Sequence, residues 1–134
     1  MNRKIEFRGK SKKDNEWHYG SLFIDDNYGG GYDYYIDYML YGSLPYRHSE
    51  RVIGDSVGQY IGLKDKNKKE IFDGDIIKYF DEPPLGIVYY NDSLGAFMID
   101  WKFEYEPNYF NDCDKDQIEV IGNIYDNPEL LEVE

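Results

Sequence analysis

The chain carries two imidazoles, His18 and His48, and a single thiol, Cys113. A nucleophilic dyad needs a thiol or hydroxyl beside a base, and neither histidine lies in a motif that announces one. His18 alternates with Trp17 and Tyr19 and reads as a solvent-facing or edge residue of a strand. His48 sits among Arg47, Ser49, Glu50 and Arg51 and reads as a loop residue. One cysteine excludes an intrachain disulfide and a cysteine-based zinc cage. Asp112-Cys113-Asp114-Lys115-Asp116 imitates the opening of a calcium loop. The imitation fails at Gln117, where a sharp turn requires Gly, and at Asn123, where a bidentate Glu is required. Gly29-Gly30-Gly31 lacks the Lys-Ser/Thr of a phosphate loop and precedes a strand pattern, so it reads as a turn. The carboxylates of Glu70-Ile71-Phe72-Asp73-Gly74-Asp75 are more economically explained as turn-formers that bond backbone N–H groups than as an acid and base pair. No catalytic residue, metal or cofactor is expected, and the chain reads as a non-enzyme.

The larger chemical signal is tyrosine. Tyr28, Tyr32, Tyr34, Tyr35, Tyr38, Tyr41 and Tyr46 lie within nineteen residues, and one strand in so small a protein cannot bury both of its faces. Tyrosine offers contact area at low rotamer entropy and a hydroxyl that tolerates water, so exposed tyrosines favour protein contacts. Tyr32, Tyr34, Tyr35, Tyr38 and Tyr41 are therefore the expected protein-binding residues. Stacking on nucleobases is the competing use.

These residues must be positioned by strands. Apolar alternation of period two, broken by Gly, Asn, Asp and Pro every ten or so residues, predicts a mainly β protein. Strands are expected over 5–8, 17–24, 32–41, 57–63, 75–80, 86–90, 96–103 and 118–124. Residues 42–55 read as an irregular connection, 70–74 as a tight corner and Pro83-Pro84 as a loop. Five short strands over 57–124 suit a small SH3-like barrel. Asn127-Pro128-Glu129-Leu130-Leu131 suits a terminal helical turn with Asn127 as N-cap. The expected organisation is an N-terminal β meander or hairpin lobe, 1–55, and a barrel lobe, 56–134, folding as one cooperative unit.

The 134 residues carry 15 Lys and Arg against 27 Asp and Glu, a net charge of -12. Residues 1–20 hold six basic and three acidic side chains, whereas 81–134 hold two and fourteen. A surface of that sign repels phosphate backbones, so nucleic acid is not an expected partner. No apolar run is long enough to span a membrane, and 1–7 lack the apolar stretch of a signal peptide, so no membrane partner and a cytoplasmic location are expected.

Ile5 to Lys10, Trp17 to Leu22, Val57 to Asn67, Glu70 to Ile77 and Glu119 to Leu131 together resemble the YopX family of phage and prophage proteins. The chain departs from the family pattern at Lys68, where Gly commonly follows the Asn of the charged turn. The resemblance implies a prophage gene product in a bacterial cytoplasm, mainly β with an SH3-like C-terminal barrel, and no established activity. The expected function is accessory: binding to a second copy, as a homo-oligomer, and to a host or phage protein. The alternatives from other classes are an acidic DNA mimic that blocks a host nucleic-acid-binding groove, a nucleic-acid module using the Tyr strand, and a hydrolase without a recognisable motif.

Overall fold

A computed structural model of the chain describes residues 2–27, 29–102 and 104–132. Tyr28 of the tyrosine run and Phe103 at an expected strand end lie outside the described residues. The fold is mainly β and antiparallel. Its strands are β1 (Phe7–Lys10), β2 (Trp17–Asp26), β3 (Tyr32–Leu40), β4 (Tyr46–Val52), β5 (Gly58–Lys64), β6 (Glu70–Phe72), β7 (Asp75–Tyr79), β8 (Glu82–Asn91), β9 (Ala96–Asp100), β10 (Asn108–Tyr109) and β11 (Ile118–Asn123). Short 3₁₀ turns supply the helical content, and among the described residues no helix is long and apolar enough to cross a membrane. The chain divides into two compact units, Met1–Tyr60 and Ile61–Glu134.

In the first unit the strand order is β4-β3-β2-β1, and β1 is flanked on its other side by the start of β5. Pairing is regular, with Leu22 opposite Ile36 and Tyr38 opposite His48. Because side chains alternate across a strand, one face carries His18, Tyr34, Ile36, Tyr38, His48, Glu50 and Val52, and its centre is buried at Ile36 and Val52. The Gly29-Gly30-Gly31 segment makes the β2–β3 turn, closed by a bond from the Asn27 N–H to the Gly31 carbonyl at 3.0 Å.

The segment expected to be irregular contains β4. Between Tyr46 and Val52 at its ends its two faces are both polar, Arg47, Ser49 and Arg51 against His48 and Glu50, so hydrophobic alternation could not reveal it. Cross-strand polar pairs specify it instead: Arg51 Nη2 donates to Asp33 Oδ1 at 2.7 Å and Ser49 Oγ to Asp37 Oδ1 at 2.6 Å.

The second unit holds the later half of β5, β6 and a five-stranded sheet of order β10-β9-β8-β7-β11. Its core is Ile71, Ile77, Val88, Ile99, Trp101, Phe110 and Ile118, all buried. The expected corner at 70–74 contracts to Asp73-Gly74, because 70–72 is strand. Gly74 takes a left-handed φ of 94° and Asp75 Oδ2 accepts the Phe72 N–H at 2.8 Å, which turns the chain into β7. Lys68 also takes a left-handed φ, 68°, so the turn keeps the geometry that Gly would adopt without strain.

Pro83 and Pro84 stand inside β8 and make no separate loop. The β7–β8 register is irregular between Ile77 and Tyr79, and β9 pairs only from Ile87 onward, so neither proline is placed where a ladder N–H is required. Ile124 is exposed and follows the end of β11, because a register shift between Val120 and Gly122 breaks the alternation that would have buried it. Asn127 occupies the cap position of the 3₁₀ turn Pro128–Leu131, but its side chain makes no cap bond; Oδ1 accepts from the Asn123 N–H at 3.2 Å.

Candidate functional site

The meander of the first unit gathers both histidines of the chain onto one face. β2 presents His18, β3 presents Tyr38 and β4 presents His48 and Glu50; the β1–β2 connection adds Ser11 and Asp14. Each ring nitrogen of His18 is engaged, Nε2 with Asp14 Oδ2 at 2.8 Å and Nδ1 with the Tyr38 hydroxyl at 2.8 Å. Tyr38 packs between the imidazoles, its ring centroid 5.7 Å from that of His18 and 5.3 Å from that of His48. His48 Nε2 bonds Glu50 Oε1 at 2.7 Å, and Ser11 Oγ donates to Glu50 Oε2 at 2.7 Å. His18 and Glu50 keep only 11% and 12% of their side-chain surface, so both act from inside the face.

The expectation of a solvent-facing His18 and a loop-borne His48 is corrected by this network. The signal was present in the parity of positions 18, 38 and 48, but it becomes readable only once 46–52 is known to be a strand. Ser11 is fully buried and donates to a carboxylate instead of to an imidazole. The arrangement therefore lacks the hydroxyl-to-imidazole contact of a nucleophilic triad. Asp14, His18 and Glu50 offer ligand atoms that all lie within 4.8 Å of one another. In the second unit, Asp114 of the calcium-like stretch caps a 3₁₀ turn, accepting the Asp116 N–H at 3.0 Å.

The electrostatics follow from these bonds. Glu50 is held below its ordinary 4.5, first by the bond from His48 and then by that from Ser11. Asp14 is held below 3.8, chiefly by the Glu16 N–H with help from His18. Tyr38 is pushed above 10.0, first by burial and then by the charges of Glu50 and Asp14. A carboxylate lowered by folding contributes stability above its unfolded value and loses it as pH falls through the folded one; a phenol raised by folding contributes below its unfolded value and loses it as pH rises. Stability is accordingly expected to be level between the ordinary Glu and Tyr values, 4.5 and 10.0, and to fall on both sides. Thermal unfolding across pH checks this: E50Q is expected to flatten the acid limb and Y38F the alkaline limb.

Of the expected binding tyrosines, Tyr32 and Tyr41 are exposed, at 63% and 82%, while Tyr34, Tyr35 and Tyr38 are half-buried. Tyr38 belongs to the histidine network. Tyr32 and Tyr34 line a cleft of about 640 Å³ together with Lys12, His48, Glu50 and Arg51. Tyr35 lies on the opposite face, against Phe23 at a centroid distance of 6.1 Å. Around the β3–β4 turn, Leu40, Tyr41, Leu44 and Tyr46 are all exposed, Leu44 at 85%.

Two antiparallel β units, the first bearing a polar network on a meander and the second a small apolar core, make this a mainly β protein of the two-unit type. The chain belongs to the YopX family, whose YopX protein pattern it matches over residues 6–132. It is similar to the crystal structure of protein EF1440 from Enterococcus faecalis, with 27% identity and a TM-score of 0.56 over 98% of this chain and 100% of that one. It is also similar to protein yopX from Bacillus subtilis, at 24% identity and a TM-score of 0.49 over 95% of this chain and 98% of that one. No curated protein matches the chain.

Proposed function

We propose that the chain is an accessory protein of phage or prophage origin that acts in the bacterial cytoplasm by binding, first of all to a second copy of itself. The observation that carries this reading is the position of β4 at the end of its sheet, beside the exposed Leu40, Tyr41, Leu44 and Tyr46. A terminal strand offers a row of backbone donors and acceptors to another strand. An apolar, Tyr-rich rim next to that edge supplies contact area at low entropic cost. Two identical copies satisfy both needs at once about a two-fold axis. Charge supports the choice of this unit: residues 1–60 hold eight basic and nine acidic side chains, and 61–134 seven and eighteen, so two copies meet least repulsion through the first. The second unit is read as SH3-like on its short antiparallel strands and tight connections; closure of its sheet is what that reading adds.

Light scattering and sedimentation test the proposal. The wild-type chain is expected to be dimeric at micromolar concentration, and Y41D combined with L44D, two exposed positions, is expected to give a folded monomer. A wild-type chain that stays monomeric at high micromolar concentration overturns self-association. A variant carrying Y41D and L44D that stays dimeric moves the interface away from β4.

A further inference from the structure

We infer that Asp14, His18 and Glu50 form a binding site for a divalent first-row transition ion, with Zn²⁺ the best fit. The site is independent of the proposed self-association, which uses the outer edge of β4.

The donor set comes first. One imidazole and two carboxylates are borderline and hard ligands that zinc accepts together. Their donor atoms lie within 4.8 Å of one another. Ligands at about 2.0–2.2 Å from zinc, in tetrahedral array, stand about 3.4 Å apart. Closing the set therefore takes side-chain adjustments on the order of 1 Å, within reach of Asp14, whose side chain is 37% exposed.

The surrounding groups supply what metal ligands need behind them. A ligating histidine gives its second ring nitrogen to an oxygen that fixes its orientation. Tyr38 Oη stands 2.8 Å from His18 Nδ1, and in the tautomer whose Nδ1–H donates to that oxygen, Nε2 is an unprotonated donor aimed at Asp14. Glu50 is fixed from two sides, by Ser11 and His48, and each bond leaves lone-pair capacity on its oxygen. Carboxylates are ordinarily ionised at neutral pH, so Asp14 and Glu50 need not lose a proton to bind. Three protein ligands leave a fourth position open. The partly exposed Asp14 side chain gives an ion a path from solvent, and Glu50 and His48 line the neighbouring cleft of about 640 Å³.

The full chain, stripped with a chelator, is titrated with Co²⁺ as an optical probe and then with Zn²⁺. One equivalent of Co²⁺ is expected to bind with visible d–d bands, and Zn²⁺ is expected to displace it. E50Q and H18Q are expected to weaken binding at least tenfold. H48L, which removes a donor to Glu50 and no ligand, is expected to weaken it about 10–100-fold. D112N combined with D114N, in the calcium-like loop, is expected to bind as the wild type does. Because a variant at His18 can fail to fold, X-ray absorption of the wild-type Zn²⁺ complex gives a second readout, in which a single imidazole in the ligand shell is expected. Failure of the wild type to bind one equivalent, an all-oxygen shell, or undiminished binding by a folded E50Q each overturns the site.

Discussion

Replacing Asp65 by Ala is expected to cost about 3–5 kcal/mol, a large fraction of the roughly 5–15 kcal/mol that holds an ordinary domain folded. Asp65 is 3% exposed and has no cation within an ion pair's reach among the described contacts; its carboxylate spends its lone pairs on backbone. Oδ1 accepts the N–H groups of Asn67 at 2.8 Å and Lys69 at 2.9 Å, and Oδ2 accepts that of Val120 at 2.9 Å. Two of these bonds shape the charged turn between β5 and β6. The third ties that turn to β11, fifty-five residues away in sequence. Removing the carboxylate strands a donor on a half-buried strand, at about 1–3 kcal/mol, and deprives two turn donors that water can partly reach. D65N keeps one acceptor oxygen and is expected to lose less. Denaturant unfolding measures both, and exchange of the Val120 amide reports the third bond directly. A D65A variant within 1 kcal/mol of the wild type, on the scale of an ordinary surface change, refutes the clamp.

This residue shows which parts of the fold were legible. Asp65 lies in the Leu63-Lys64-Asp65-Lys66-Asn67 stretch that carries the family resemblance, and Asp73-Gly74-Asp75 in the next; both were readable as turn chemistry because Asp and Gly act on backbone within a few residues. The strands β7, β8 and β9 were readable because Ile77, Val88 and Ile99 supply the apolar positions of a period-two pattern, whereas the three residues of β6 around Ile71 were too few to show one. β4 was not readable, since its partners Asp33 and Asp37 lie on another strand and nothing local marks Arg51 or Ser49 as paired. The candidate site failed to show for the same reason. His18, Tyr38 and His48 share a face only through the β2–β3–β4 register, so an unrecognised strand leaves His48 in a loop and His18 at a surface. Pro83-Pro84 misled in the opposite direction. Proline forbids a ladder bond but not an extended backbone, and β8 runs through the pair where its neighbours leave the N–H positions unused.

Gly20→Ala is expected to have the second large effect, in the first unit and through the site. Gly20 stands in β2 between Tyr19 and Ser21, two residues beyond His18. A Cβ placed there would lie 2.2 Å from the Asp37 carbonyl oxygen and 3.2 Å from Tyr38 Cβ. The first contact is with backbone, which no rotamer change relieves, so β2 and β3 must part by about 1 Å to restore ordinary separation. Overpacking of this kind costs about 1–3 kcal/mol and more where backbone must move, and about 3 kcal/mol is expected. Tyr38 rides on the displaced strand. Its hydroxyl leaves His18 Nδ1, so the variant is also expected to lose the His18–Tyr38 bond and to bind Co²⁺ more weakly than the wild type. Gly42→Ala is the control, because nothing lies within 4 Å of a Cβ there; it is expected to stay within about 0.5 kcal/mol of the wild type. Amide exchange assigns the loss: β2 and β3 are expected to lose protection first in G20A, and β7 and β11 first in D65A. If both variants instead lose protection evenly along the chain, the two units unfold as one. A G20A protein as stable as G42A would show that the β2–β3 approach is looser than 2.2 Å implies, and the positioning of Tyr38 against His18 would then need another cause.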